Sequence, residues 1–165
     1  MVGAPKKSAR VIVAERSAVI SECGRYRYCL RRRWGDESYA LFIGLNPSTA
    51  DAVDDDPTIR RCGNFAADWG YGGLVMANLF AYRTKSPAAM KAAPEPVGPE
   101  NDAWLARLGA DAGIRVAAWG VDGSHLGRDA AALALIPDLR CLGLTKDGFP
   151  RHPLRLRRDT PPVAF

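Results

Sequence analysis

Ala40-Leu41-Phe42-Ile43-Gly44-Leu45-Asn46-Pro47-Ser48 and, about a hundred residues later, Arg151-His152-Pro153-Leu154 decide the reading of this chain. The first is an apolar run ending in Gly-Leu-Asn-Pro-Ser. The second closely follows another apolar run, Leu139 to Leu144. Each reads as a buried strand that delivers a polar side chain and a proline to its carboxyl end. Ligands of open α/β sheets bind beyond the carboxyl ends of the strands. Asn46 and His152 are therefore expected to face each other as two halves of one site.

The rest of the chain supplies elements for such a sheet. Ala18 to Trp34 alternates weakly among arginines and suits an antiparallel strand or hairpin with one wet face. Apolar strands are expected over 40–46, 74–82, 114–119 and 139–144. Between them, 59–69, 86–100 (a short helix plus loop), 101–109 and 127–135 read as helical, with Asp56-Pro57-Thr58 as a helix start. Strand–helix alternation implies right-handed crossovers and a parallel sheet covered on both faces. The expected fold is a three-layer α/β/α sandwich around a four-stranded parallel sheet, with the N-terminal antiparallel piece added. With 165 residues, one domain over 1–165 is expected, with a lead-in over 1–16 and an extended tail over 159–165.

Composition narrows the function classes. The 47% hydrophobic and 25% charged content is that of an ordinary globular protein, and no apolar run approaches the roughly 20 residues of a membrane span. The first sixteen residues hold basic groups but no apolar signal core, so a cytoplasmic protein is expected. A net charge of +5, with arginine clusters at 25–33 and 151–158, favours an anionic partner; a plain solvated basic surface is the alternative. Cys23, Cys29, Cys62 and Cys141 lack paired metal-ligand spacing. The chain has no Walker loop, no G-x-G-x-x-G and no G-x-S-x-G elbow, which argues against kinase, dinucleotide-dehydrogenase and ordinary hydrolase readings.

Three motifs then occur in order: Gly44-Leu45-Asn46-Pro47-Ser48, Asn78 within Leu74 to Arg83, and His152-Pro153-Leu154. Together they resemble the uracil-DNA glycosylase superfamily, from Ala40 to Arg155. That resemblance implies parallel strands ordered two-one-three-four, a G-x-[ND]-P motif after strand one, in many members an Asn in strand two, and an H-P-S or N-P-S motif after strand four. More closely, Asn46-Pro47-Ser48-Thr49-Ala50-Asp51 followed by Asp56-Pro57-Thr58-Ile59-Arg60-Arg61 resembles a bacterial and phage domain of unknown function (domain of unknown function 1643).

The resemblance implies roles that suit the residue types. His152 would donate a hydrogen bond to the departing base as negative charge develops there. Asn46 would position the attacking water by orientation, since an amide is no general base. Asn78 offers a donor and an acceptor to read a pyrimidine edge, with Gly44 and Leu45 beside the base. Ser48, Arg83 and Arg155 are the candidate phosphate contacts. DNA, a nucleoside or a nucleotide is the expected partner, with no cofactor and no metal required. Leu154 departs from the family, which often has a small hydroxyl residue there, and Asn46 in place of Asp implies weaker water activation. Phe65, Trp69 and Phe80 are the aromatics available to stack on a base.

Two other functions stay open on the sequence. One is a non-catalytic nucleic-acid or nucleotide-binding module that keeps the pocket. The other is a metal-dependent phosphoesterase built on Asp51, Asp54 and Asp56, since hard cations prefer carboxylate oxygens. The plainer reading of that loop is a solvated turn with Asp56 capping the next helix. His125 more simply decorates a helix start, and Trp69 and Trp119 read as core residues closing apolar segments.

Overall fold

Short apolar runs alternating with helical stretches build a mixed α/β fold, a seven-stranded sheet with four α-helices among the described residues. The structure is a computed structural model that describes residues 12–48 and 50–165. The strands are β1 (Glu15–Ile20), β2 (Arg27–Arg33), β3 (Tyr39–Gly44), β4 (Gly73–Asn78), β5 (Ile114–Ala117), β6 (Leu139–Cys141) and β7 (Val163–Ala164). The helices are α1 (Pro57–Asp68), α2 (Pro87–Ala92), α3 (Asn101–Asp111) and α4 (Arg128–Leu135). None of these helices is long and apolar enough to cross a membrane.

Across the sheet the order is β1-β2-β4-β3-β5-β6-β7. β4, β3, β5 and β6 run parallel to their neighbours in that group, while β1 and β2 pair antiparallel on one side and β7 on the other. The sheet is therefore mixed and wider than the expected four strands plus a hairpin. The tail expected to be merely extended returns to the sheet, where Val163 and Ala164 pair with Cys141 and Arg140 and cover the open edge of β6. The hairpin begins at Glu15, inside the expected lead-in, of which residues 1–11 lie outside the described ones. The parallel strands are shorter than their apolar runs, because each run continues past the ladder into the loop at the carboxyl end.

The core lies on both faces of β3. Ala40, Leu41, Phe42 and Ile43 are fully buried, as a continuous apolar strand requires when helices cover both sides. On one face Ala40, Phe42, Leu74 and Met76 meet Ile59, Cys62, Phe65 and Ala66 of α1. On the other, Leu41, Ile43, Val75 and Ala77 pack with Met90 of α2, Leu105 and Leu108 of α3, and Ala132 of α4. The α1 residues recur three or four apart, forming the apolar stripe of an amphipathic helix.

The start of α1 is encoded locally. Asp56 is extended and its Oδ1 accepts the Ile59 N–H at 2.8 Å, while Pro57 takes the first turn, where no amide hydrogen is needed. The helix stops at Trp69, and Gly70 follows at φ 87°, a conformation that favours glycine. These two punctuation marks set where α1 begins and ends, while its apolar stripe sets the face that meets the sheet. They also set its first turn beside the loop that follows β3.

Candidate functional site

Beyond the carboxyl ends of β3, β4 and β5 lies a cavity of about 700 Å³, within the size range of small-molecule sites. Gly44, Leu45, Asn46, Ser48, Asn78, His152 and Arg155 all line it. The two motifs that opened the sequence reading thus meet in one concavity, and Asn78 joins them. Arg83 does not line it; its Nη1 donates to the Gly24 carbonyl at 3.0 Å, toward the β1–β2 turn.

Asn46 sits just past β3, where the chain leaves the ladder. Its Nδ2 donates to the Thr84 carbonyl at 2.8 Å and more weakly to Pro47 O at 3.3 Å. The side chain is thereby held, with its amide nitrogen committed to backbone. Its Oδ1 has no hydrogen-bond partner among the described residues. Oriented in this way, Asn46 contributes an acceptor to the cavity.

Asn78 ends β4 on the same side as Leu74 and Met76, since side chains two apart share a face. It is 3% exposed, yet its Nδ2 has no hydrogen-bond partner among the described residues. A buried amide donor left unpaired costs about 1–3 kcal/mol. Gly44 stands opposite Asn78 in the parallel ladder, and a Cβ at position 44 would lie 2.8 Å from Asn78 Oδ1. The glycine makes room for the amide.

His152 precedes a short turn, Pro153–Arg155. Its Nδ1 accepts the Leu154 N–H at 3.2 Å, which leaves the proton of the neutral ring on Nε2. Partial burial pulls its pKa below the usual 6.5, and the Asp56 carboxylate opposes that shift. The ring is thus biased toward a neutral N–H donor. Asp56 also lines the cavity, with Oδ2 accepting the Ser48 hydroxyl at 3.0 Å and Oδ1 capping α1.

Trp119, read from the sequence as a core residue, is 2% exposed within the core and, reached as β5 ends, is also the aromatic in the cavity wall. Met76 lines the cavity too and was not singled out from the sequence. The expected stacking candidates are elsewhere: Trp69 stacks on Phe42 at 5.8 Å and packs against Phe65 at 5.5 Å, while Phe80 meets His125 at 5.6 Å. None of Phe65, Trp69 and Phe80 lines the cavity. The alternation of strands and helices marks where a segment runs, but not which aromatic closes a wall assembled from three strands.

Arg27 is the other addition. The β1–β2 pairing shifts register, so that Val19 faces Cys29 but Ile20 faces Arg27, leaving Tyr28 as the extra residue of a bulge. Tyr28 and Cys29 both pack toward the α3 side, and Arg27 is turned into the cavity wall. It is 3% exposed; Nη1 donates to the Ala50 carbonyl at 2.7 Å and Nε has no partner among the described residues. Burial pulls its pKa down to about 10, against the opposing charge of Asp56.

The Asp51, Asp55 and Asp56 carboxylates of the acidic loop are engaged within the fold. Asp51 Oδ1 accepts the Val53 and Asp54 amides, each at 2.8 Å, and these bonds hold its carboxyl below the usual range. Asp55 pairs with Arg32 at 2.8 Å and with Arg16 at 3.3 Å. Asp56 caps α1. Among the described residues no three His, Cys, Asp or Glu side chains gather as metal ligands, so Asp51, Asp54 and Asp56 do not form the constellation the phosphoesterase alternative needs. The cysteines are all free, with Cys29, Cys62 and Cys141 buried.

A family model described as "Protein of unknown function (DUF1643)" matches residues 27–154. That span runs from the cavity's buried arginine to the last motif. No curated protein and no solved structure matches this chain.

Proposed function

The chain belongs to the DUF1643 family, and we propose that its cavity binds a nucleobase and hydrolyses an N-glycosidic bond in a nucleic acid or a nucleoside, as in uracil-DNA glycosylases. The observation that carries this reading is the unpaired, buried Nδ2 of Asn78 in a cavity shared with Asn46 and His152. A base carbonyl supplies the acceptor that this amide lacks. Leu45, Ile59, Met76 and Trp119 give the cavity an apolar part of its lining. Four neighbouring strands, β4, β3, β5 and β6, run parallel within the larger mixed sheet, which supports a ligand site beyond their carboxyl ends.

In this reading the residues divide the reaction between them. Asn78 holds the base through its amide. Asn46 Oδ1 accepts a hydrogen bond from water and aims it at the sugar carbon, contributing by orientation. As the glycosidic bond breaks, its electron pair goes to the base. The Nε2–H of His152 then stabilises the charge on the base oxygen without having to give up its proton. Water adds to the sugar and loses a proton to solvent.

Incubation with uracil-containing single-stranded oligonucleotides and with nucleosides, followed by chromatography of the free base, tests this. Release is expected from the native protein, reduced on the order of 100-fold in Asn46→Ala and in His152→Ala. Activity that survives both substitutions overturns the assigned roles. A second reading, a binding module without turnover, is favoured by the neutral amide of Asn46 where a carboxylate would activate water better. It predicts saturable binding of the same ligands and no free base.

A further inference from the structure

Among the described residues three arginines are buried: Arg27, Arg32 and Arg128. Two of them have a carboxylate. Arg32 pairs with Asp55 at 2.8 Å, and Arg128 pairs with Asp102 at 2.7 Å while its Nε donates to the Leu79 carbonyl. Arg27 has no ion pair among the described residues, and its Nε is buried without a partner. It alone of the three lines the cavity. A guanidinium taken out of water without a counter-ion is costly, and such groups are ordinarily paired.

We propose that Arg27 is the oxyanion-binding group of the cavity, and that the ligand there carries a phosphate ester that pairs with it. The identification of that ligand as a pyrimidine nucleotide rests on the base-binding reading above. The neighbouring carboxylate does not fill the role. Asp56 acts on Arg27 through its charge, with no hydrogen bond or ion pair between them among the described residues; its Oδ1 accepts the Ile59 amide and its Oδ2 the Ser48 hydroxyl. The other lining carboxylate, Asp122, is tied to Lys91 at 2.7 Å. Arg151 and Arg155 line the same cavity and add positive charge, which favours a multiply charged phosphate over a carboxylate. The β2 bulge is what turns Arg27 toward this site, and bulges commonly re-aim a side chain beside a functional cleft.

Isothermal titration of the native protein with deoxyuridine, its 3′- and 5′-monophosphates, a uracil-containing trinucleotide and inorganic phosphate tests the assignment. At least one monophosphate is expected to bind about tenfold or more tighter than deoxyuridine. In Arg27→Gln, checked for folding by near-ultraviolet circular dichroism, that ratio is expected to fall toward one. Equal affinities of nucleoside and nucleotides in the native protein overturn the proposal, whatever the variant does, and so does a ratio unchanged in Arg27→Gln. If deoxyuridine binds but phosphate adds nothing, the anion site fails and the base reading stands. If neither nucleoside nor nucleotides bind, while inorganic phosphate raises the Tm of the native protein but not of Arg27→Gln, the base reading fails and the anion site stands. A trinucleotide that binds tighter than either monophosphate assigns the phosphate to a strand; otherwise the source is a free nucleotide.

Discussion

β2 contributes two buried arginines to the α1 side of the sheet, and they lead different lives. Arg32 reaches the 51–55 loop, where its Nε and Nη2 meet Asp55 and its Nη2 also donates to the Asp51 carbonyl at 2.6 Å. Arg27 reaches the cavity, where one backbone carbonyl is its hydrogen-bond partner among the described residues. Residue type, strand and burial are the same. What differs is whether the chain supplies the counter-charge. The Arg32 end is closed on itself and structural. The Arg27 end has donors left over, on Arg27 and on Asn78, and so is built to receive something.

The largest expected effect comes from exchanging each arginine for a residue of similar length without charge. Arg32→Met strips a mostly buried Asp55 of its main partner, and urea unfolding is expected to show a loss of about 3 kcal/mol. Arg27→Met removes a charge with no ion partner and is expected to stay within about 1 kcal/mol of the native protein. Equal losses would erase the distinction between the two ends. Cys62, fully buried in α1 with burial pushing its thiol pKa up, gives a second readout. Its labelling by a thiol reagent is expected to quicken in Arg32→Met, whose loop leads into α1, and not in Arg27→Met. Exposed Cys23, with its pKa lowered to about 7 first by the Ser21 hydroxyl and then by Arg25, serves as the fast internal reference.

A smaller effect is expected at Gly44. A methyl group there would press on Asn78 Oδ1, so Gly44→Ala is expected to cost about 1–2 kcal/mol of stability by overpacking. It should also weaken nucleobase binding about tenfold by turning the Asn78 amide. Unchanged binding would remove Asn78 from the ligand's surroundings.

The smallest concerns pH. The folded pKa of His152 lies below its unfolded value of 6.5, so the native state prefers the neutral ring. Its contribution to stability is present above pH 6.5 and fades as pH falls through the lowered folded value, with loss of the Leu154 N–H bond to Nδ1. A proton NMR titration of the ring should give a midpoint below 6.5. A midpoint above it would mean that His152 enters the cavity as a cation.

Much of the architecture was legible where the cause is local. The apolar run 40–43 announces a strand buried on both faces, and Asp56-Pro57 announces α1, because capping and proline geometry act over three or four residues. Asn46 and Asn78 also meet as the rule that parallel strands end on one side implies, whereas His152 reaches the cavity only through the loop after β6, folded back by the Leu144–Pro150 bridge. Other features had no local signature. β7 pairs residues more than twenty positions apart in the chain. The aromatic wall falls to Trp119 because the cavity borders β5, while Phe65 and Trp69 are spent on the α1 layer. Arg83, plausible by charge beside a strand, turns back to Gly24.

The arginine run and the acidic loop mark most plainly what each level decides. Sequence alone determines that this chain has buried strands, a capped helix after an acid-rich turn, and polar residues at strand ends, since backbone propensity and side-chain period are short-range properties. It also fixes the excess of positive charge. Only the tertiary structure decides which charges cancel: Asp55 is delivered to Arg32 across the fold, while the Tyr28 bulge turns Arg27 into the cavity, where Asp56 is near enough to act through its charge but forms no ion pair with it among the described residues. Whether a buried charge is paired depends on distances of a few ångströms between segments far apart in the chain, and no local pattern carries that information.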